Sequence, residues 1–160
     1  MFRRHLLASL GTALAALAWK PRQAEAAAAA TEPRWALSNA EWKRRLSPEA
    51  YKVLRQEGTE RPFSSPLNAE KRRGTYLCAG CALPLFSSDT KYDSGTGWPS
   101  FWQPLPKAIA TKQDFKLLIP RTEYHCRRCG GHQGHVFNDG PRPTGKRYCN
   151  NGVALRFQPG

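Results

Sequence analysis

Cys78-Ala79-Gly80-Cys81 and Cys126-Arg127-Arg128-Cys129 are the two stretches that decide the architecture of this 160-residue chain. They lie 44 residues apart, and each can present two thiolates to one ion from a tight turn. Four thiolates form a closed tetrahedral zinc site with no open position for catalysis. Because zinc binding drives folding, such a site would hold two distant hairpins together. The spacing therefore predicts one structural Zn²⁺ per chain, bound by Cys78, Cys81, Cys126 and Cys129.

Other uses of these cysteines stay open at the level of the sequence. A disulfide within either Cys-x-x-Cys pair would close almost no loop and would stabilise the fold little. A redox motif needs a feature such as a helix N-terminus to lower the thiol pKa, and neither pair stands at one. A fifth cysteine, Cys149, makes the number odd, so a secreted disulfide scaffold with one thiol left over is a further interpretation. Metal content distinguishes that scaffold from the zinc site.

The chain outside the cysteine pairs predicts a mainly β domain over residues 38–160. Ser38 and Glu41 form a capping-box pattern for a short helix ending near Leu46, and Ser47-Pro48 begins a second helix that stops at Gly58. After residue 59, glycine and proline divide the chain into short pieces. We expect strands at residues 74–78, 108–111, 115–119, 122–126, 134–137 and 146–157. Strands and helices do not alternate, so a doubly wound sheet is disfavoured.

Residues 1–26 have the layout of a bacterial export signal. Arg3 and Arg4 precede an apolar run of fourteen residues over 6–19, which is too short to cross a bilayer that needs about 20. Residues 24–26 (AEA) then supply a small-residue cleavage pattern. The pair of arginines resembles a twin-arginine motif, with Phe2 in place of the usual Ser or Thr. We expect export to the periplasm, with residues 27–37 as a tether; an uncleaved amphipathic anchor is the alternative.

The formal net charge is +13, of which the first 26 residues hold four basic residues and one acidic residue, leaving about +10. A charge of this size commonly indicates a nucleic-acid partner. The basic residues are scattered, however, apart from residues 43–45 (KRR) and 71–73 (KRR), and no basic stripe is interleaved with aromatic residues. The pattern favours a solvated basic surface, with no nucleic-acid partner and no stable membrane insertion once the signal is removed.

The residues around Cys149 suit thiol chemistry. In an extended segment Arg147, Cys149 and Asn151 would project to one face. A guanidinium beside a thiol favours the nucleophilic thiolate. His132 and His135 supply imidazoles for proton transfer. From these residue types alone, a catalytic Cys149 and an inert buried cysteine are about equally supported.

Four longer motifs extend these observations. They are residues 58–63 (GTERPF), 92–101 (YDSGTGWPSF), 134–137 (GHVF) and 139–149 (DGPRPTGKRYC). Together with both cysteine pairs they resemble the methionine-R-sulfoxide reductases over residues 47–157. The resemblance implies two small antiparallel sheets around a zinc-bearing end. It also implies thiol-dependent reduction of methionine-R-sulfoxide, peptide-bound or free, and hence repair of oxidised proteins.

The same resemblance implies residue roles. Cys149 would attack the sulfoxide sulfur and be left as a sulfenic acid. His132 and His135 would orient or protonate the sulfoxide oxygen, and Arg147 would stabilise the thiolate. Three further residues would bind the substrate, with the first of them packing the methyl group: Trp98, Phe137 and Asn151.

The sequence departs from the family pattern at a few positions. Many relatives carry a second, resolving cysteine where this chain has Thr96, so we expect an external thiol, such as a thioredoxin-like partner, to reduce the sulfenic acid directly. Gln133 stands where Leu is common, and Asn150 and Gly152 flank Asn151. These three changes lie at the edge of the expected pocket.

The main rival function is a zinc-ribbon-like module that binds nucleic acid or protein through the positive surface. This module would account for the charge and the four paired cysteines. It leaves unexplained the Arg147-Tyr148-Cys149 motif, the histidine pair and the export signal.

Overall fold

The computed structural model describes residues 32–160, so the predicted export signal over residues 1–26 and the tether up to residue 31 lie outside the described residues. The described chain has two α-helices and nine β-strands: α1 (Asn39–Arg45), α2 (Pro48–Gln56), β1 (Gly74–Cys78), β2 (Pro84–Ser87), β3 (Lys91–Tyr92), β4 (Ser100–Phe101), β5 (Ile109–Asp114), β6 (Arg121–Cys126), β7 (His132–Phe137), β8 (Arg147–Asn150) and β9 (Leu155–Pro159). Neither of these helices is long and apolar enough to cross a membrane.

Both predicted helices are confirmed, together with their caps. The Ser38 hydroxyl accepts the backbone N–H of Glu41, whose carboxylate accepts the backbone N–H of Ser38, so the capping box is complete. Ser47 caps α2 by accepting the backbone N–H of Ala50 at 3.1 Å. Helix α2 ends at Gln56, and the residue that turns left-handed is Glu57 (φ 55°) rather than Gly58. The serine caps therefore mark where both helices begin.

The strands form two antiparallel sheets, which confirms the predicted fold class. The smaller sheet has three strands in the order β2-β1-β9, and the larger has six in the order β3-β4-β8-β7-β6-β5. The sheets face each other through buried aromatic side chains. Phe86 of the small sheet stacks on Phe101 of the large one with ring centroids 4.2 Å apart, and Tyr76 meets Phe101 edge-on at 4.9 Å. This aromatic cluster is the core that joins the two sheets.

The strands of the structure differ from the expected ones in three respects. Residues 146–157 are not one strand, because the chain leaves β8 through a 3₁₀ turn at Gly152–Ala154 and enters the other sheet as β9. Residues 115–119 are an exposed loop between β5 and β6, although they are mostly apolar. Strands β2, β3 and β4 have no predicted counterpart, since a strand of two to four residues is too short to show a periodic pattern.

Residues 32–37, assigned from the sequence to the tether, contain a 3₁₀ turn at Pro33–Trp35 that packs on the domain. Trp35 stacks on the buried Trp42 with ring centroids 6.2 Å apart. The backbone N–H of Glu32 donates to the Arg128 carbonyl at 3.3 Å, and the two side chains are also paired. The packed part of the chain therefore begins before Ser38, next to the second cysteine pair.

Gly134 permits the close approach of β7 and β8. A Cβ atom at this position would overlap the carbonyl oxygen of Cys149 on β8. We expect Gly134→Ala to push β8 away and to lower the free energy of unfolding by about 1–3 kcal/mol, the usual range for overpacking. Thermal or urea unfolding measures this change.

Gly160→Ala is the matched control, since its Cβ would meet no atom closer than 3.7 Å. Equal stability of the two variants would contradict the close packing of β7 on β8.

Candidate active site and metal centre

The four paired cysteines come together in one buried cluster. Their Sγ atoms all lie within 4.8 Å of one another. The Sγ atoms of Cys78 and Cys129 are 3.7 Å apart, and those of Cys81 and Cys126 are 3.5 Å apart. A tetrahedral zinc ion with Zn–S bonds of about 2.3 Å needs sulfurs about 3.8 Å apart, whereas a disulfide needs about 2 Å. The sulfurs are therefore spaced for a metal ion, and the chain has a structural zinc site formed by these four residues.

The metal centre ties the two sheets to each other. Cys78 ends β1 in the small sheet, and Cys126 ends β6 in the large one. Neighbouring side chains hold the turns that carry the ligands: Arg55 donates to the Cys129 carbonyl at 2.9 Å, and Arg128 donates to the Cys81 carbonyl at 3.2 Å. All four ligand positions are protein thiolates, so zinc would supply structure here and no chemistry on a substrate.

A second site lies where β7 pairs with β8. His135 and Cys149 are directly opposite in this antiparallel pairing, so their side chains project to the same face. They open into a cavity of about 130 Å³. Five of the residues predicted for the site line it: Trp98, His135, Phe137, Cys149 and Asn151. The other two predicted residues do not line the cavity. His132 lies next to His135, and Arg147 lies next to the Cys149 thiol.

The Cys149 thiol is half-buried, and burial raises its pKa above the ordinary value. The charge of Arg147, together with hydrogen bonds from Thr96 and Arg147, opposes this effect without overcoming it. Arg147 lowers the Cys149 pKa, which is the direction expected from the sequence, but burial raises it by more, so the net shift of the pKa is upward. The thiol is therefore mostly protonated at neutral pH in the free protein.

Arg147 is held in place by two neighbours. Its guanidinium makes a bidentate ion pair with Asp139, with N–O distances of 2.9 and 2.8 Å, and lies 4.4 Å from the centre of the Phe137 ring. The Asp139 carboxylate neutralises part of the positive charge that Arg147 offers to Cys149, and its own negative charge further raises the thiol pKa. Phe137 therefore both lines the cavity and supports the arginine beside the thiol.

A buried carboxylate organises the histidines. Glu123 on β6 binds Nδ1 of His132 at 2.7 Å and Nδ1 of His125 at 2.9 Å. Although burial opposes ionisation, these two contacts lower the pKa of Glu123 to about 2. An ionised carboxylate can only accept, so both Nδ1 atoms carry protons. His132 Nε2 is buried and has no hydrogen-bond partner among residues 32–160. In His132, Glu123 therefore fixes the orientation of the ring through Nδ1, and Nε2 carries a lone pair.

His135 is held by a second carboxylate at the base of the β5–β6 hairpin. Its Nε2 lies 2.7 Å from Oδ2 of Asp114, which also binds Arg121 at 2.6 Å. The backbone N–H of Lys116 and these two partners hold the Asp114 pKa well below its usual range. Burial lowers the His135 pKa despite the contact with Asp114, so the ring is neutral at pH 7. The rings of His132 and His135 are neighbours, with centroids 5.5 Å apart.

Asn151 lies outside strand β8, which corrects the expectation that it projects from the same strand as Arg147 and Cys149. Its side chain is buried and committed to backbone groups: Nδ2 donates to the Gln133 carbonyl at 2.9 Å, and Oδ1 accepts the Glu60 N–H at 3.0 Å. The Glu60 carbonyl in turn accepts the indole N–H of Trp98 at 3.2 Å. Asn151 therefore shapes the cavity wall and sets the position of the segment that holds Trp98.

Several supporting residues were not predicted as site residues. Glu60 and Asp139 lie inside the quoted motifs, which was the available signal. Asp114, Arg121 and Glu123 are recognisable only from strand pairing, since Asp114 faces Arg121 across β5 and β6, and Glu123 faces His135 across β6 and β7. A single sequence does not give that register.

We expect Asp139→Asn to lower the pKa of Cys149, because the charge of Arg147 is then no longer shared with a carboxylate. The pH profile of Cys149 alkylation in the zinc-loaded protein measures this effect. The alkylation rate rises with pH as thiolate forms, so a lower pKa moves the profile to lower pH, by about one unit.

Asp89→Asn is the control for the same change of charge, since Asp89 is exposed and pairs with Arg73 away from the site. A profile of Asp139→Asn that stays in place, or moves to higher pH, would contradict the assigned electrostatics.

Comparison with known proteins agrees with this geometry. The family model described as the SelR domain matches residues 46–159. The peptide methionine sulfoxide reductase MsrB of Leptospira interrogans is 56% identical over 122 residues, 76% of this chain and 93% of that protein. The protein of the same name from Agrobacterium fabrum is 50% identical over 130 residues, 81% of this chain and 96% of that protein.

A plant protein is also similar. The chloroplastic peptide methionine sulfoxide reductase B1 of Arabidopsis thaliana is 53% identical over 122 residues, which are 76% of this chain and 60% of that protein. The matched region of this chain includes both cysteine pairs, the histidine pair and Cys149. The predicted resemblance is thereby confirmed: the chain belongs to the SelR domain family, with the MsrB-type peptide methionine sulfoxide reductases.

Proposed function

We propose that this chain reduces methionine-R-sulfoxide, peptide-bound or free, to methionine, with Cys149 as the nucleophile and an external thiol as the reductant. The observation that carries the proposal is the register of β7 and β8, which sets the His135 imidazole directly opposite the Cys149 thiol in a cavity beside Trp98. Membership of the SelR domain family supports the sulfoxide as substrate class.

The reaction begins with Cys149 sulfur attacking the sulfoxide sulfur. The thiol proton is transferred to the sulfoxide oxygen, which is a poor leaving group until it is protonated. The S–O bond of the substrate then breaks as oxygen passes to the Cys149 sulfur. The S–S bond formed by the attack breaks at the same time, so methionine leaves reduced and Cys149 is left oxidised as a sulfenic acid. A thiol that is protonated in the free protein therefore carries the proton that the oxygen needs.

His135 is the group placed to move that proton. His135 lines the cavity and gives its Nε2–H to Asp114, which leaves Nδ1 to take the thiol proton of Cys149 and pass it to the sulfoxide oxygen. His132 stands behind it, with Nδ1 bound to the Glu123 carboxylate and Nε2 without a hydrogen-bond partner among residues 32–160. His135 is thus the group nearest the substrate, and the neighbouring His132 ring packs behind it.

The cavity wall accounts for recognition of the substrate. The Trp98 ring packs against the methyl group of the sulfoxide, because a polarised S-methyl group is attracted to an aromatic face. Phe137 and Asn151 close the other sides. A sulfoxide sulfur is chiral. If Trp98 fixes the position of the methyl group and His135 fixes the position of the oxygen, only one epimer can present its sulfur to Cys149.

An external thiol completes the cycle. The other four cysteines are buried in the zinc site, and the side chain beside Cys149 is the Thr96 hydroxyl. The reductant attacks the Cys149 sulfenic acid, water leaves, and a mixed disulfide forms. A second thiol then releases Cys149 and leaves the reductant oxidised. A thioredoxin-like protein or a small dithiol supplies both thiols.

The cellular setting follows from the expected export signal. Residues 1–26, with their twin-arginine pattern, direct the chain to the bacterial periplasm, and residues 27–31 join the signal to the packed domain. Oxidised exported proteins are then the substrates. The zinc-ribbon-like binding module is the less favoured function, because such a module gives no reason for a thiol and a histidine to share a cavity.

Separated R and S epimers of a blocked methionine sulfoxide test the activity. We expect the zinc-loaded protein to turn over the R epimer with thioredoxin, its reductase and NADPH, and to leave the S epimer unchanged. Cys149→Ser should abolish turnover, because serine has no sulfur to receive the oxygen. If neither thioredoxin nor dithiothreitol supports turnover of the R epimer, the proposal is wrong.

Thr96→Cys should convert the enzyme to recycling through an internal disulfide. A thiol at this position lies beside Cys149 and attacks the sulfenic acid faster than an external thiol can. After one turnover without reductant, mass spectrometry should find a disulfide between positions 96 and 149. Thr96→Ser is the matched control, since it keeps the hydroxyl and adds no thiol. A stable sulfenic acid in Thr96→Cys would contradict the assigned neighbourhood.

A further inference from the structure

Gln133 lies between the metal centre and the strand that carries Cys149. It is fully buried on β7, so its side-chain amide needs hydrogen-bond partners within the protein. Its Nε2 donates to the Cys78 sulfur and to the Gly131 carbonyl, both at 3.4 Å. Its Oε1 accepts from Nδ2 of Asn150 at 3.4 Å. Because a metal-bound thiolate can only accept, the nitrogen of the amide must face Cys78.

Asn150 continues the connection into β8. It is also fully buried and directly precedes Asn151 and follows Cys149. Its second Nδ2 hydrogen binds the Asn151 carbonyl at 2.8 Å, and its Oδ1 accepts the Tyr124 hydroxyl at 2.8 Å. Every N–H of the two side-chain amides has an acceptor, so the pair is a satisfied network with one arrangement. Two buried amides would be costly if either lost its partner.

We propose that Gln133 and Asn150 form a buried amide bridge through which the zinc centre positions the strand carrying Cys149. At the metal end, a charge-assisted N–H···S bond tunes the Cys78 thiolate and holds it in the ligand geometry. At the other end, the bridge holds the backbone that directly follows the nucleophile, because Asn150 donates to the Asn151 carbonyl. Both residues are positioning residues: Asn150 borders the cavity, but the hydrogen bonds of the two side chains go to each other and to Cys78, Gly131, Tyr124 and Asn151, and none goes to the Cys149 thiol. The inference rests on the proposed function only in taking Cys149 as the reacting group.

The metal end is tested with Gln133→Leu, which keeps a similar volume and removes every hydrogen bond of the side chain. We expect zinc transfer to a chromogenic chelator to be about 10–100 times faster than in the wild type, as for loss of other outer-shell partners. In the Co²⁺-substituted protein, the sulfur-to-metal charge-transfer band should move to lower energy, because the sulfur lone pair loses a donor.

Phe157→Leu is the matched control, because Phe157 packs on the core from β9 without touching the cysteines or the bridge. It should lower stability while leaving the Co²⁺ band and the zinc transfer rate near the wild type. Gln133→Met, of equal length and without a donor, replaces Gln133→Leu if the latter does not fold. A Gln133 variant whose band and transfer rate match those of Phe157→Leu would overturn the proposal.

The coupling to Cys149 is tested by its alkylation rate in the zinc-loaded Gln133→Leu, Asn150→Leu and double variants. If the residues act as one bridge, each single variant changes the rate and the double variant changes it no further than a single one. Effects that multiply, or an unchanged rate in Gln133→Leu, would overturn the coupling. These measurements follow the metal and the thiol rather than turnover, so they stand apart from the test of the enzymatic activity.

Discussion

The tetrathiolate zinc site holds the two sheets of this domain together. The small sheet contributes Cys78 and Cys81, and the large sheet contributes Cys126 and Cys129, so the ion connects two layers that otherwise meet through an aromatic cluster. Several strands have only two to five residues and many connections are irregular. A domain built in this way gains folding free energy from the metal that its strands alone would not supply. The N-terminal segment packs beside the same site through Glu32 and Arg128.

The position of the reactive site follows from that constraint. Strand β7 begins three residues after the last zinc ligand, and its pairing with β8 sets His135 opposite Cys149. Gly134, with no side chain, lets β8 approach. Two ionised carboxylates, Glu123 and Asp114, then fix the histidines from behind. The site is thus rigid on the side that handles protons, while its aromatic side is formed by a loop that Glu60 and Asn151 hold in place.

Much of this arrangement could be predicted from the sequence, for identifiable physical reasons. The zinc ligands follow from local spacing, and the helix starts follow from serine caps, which act within four residues. The grouping of Cys149, His135 and Trp98 came from family motifs rather than from periodicity. The break after Asn150 escaped prediction because residues 146–157 have strand-like composition throughout, and only tertiary pairing divides them between two sheets. The direction of the Cys149 pKa also escaped prediction, since it is set by burial and by Asp139, which sequence adjacency to Arg147 does not reveal.

Single-turnover chemistry shows whether Cys149 takes the oxygen of a methionine-R-sulfoxide. The zinc-loaded protein is mixed with excess R sulfoxide in the absence of any reductant, and methionine and protein mass are both measured. We expect one equivalent of methionine per chain and one added oxygen atom on Cys149, trapped by a sulfenic-acid reagent. Formation of no methionine, or an added oxygen on a residue other than Cys149, would contradict this expectation.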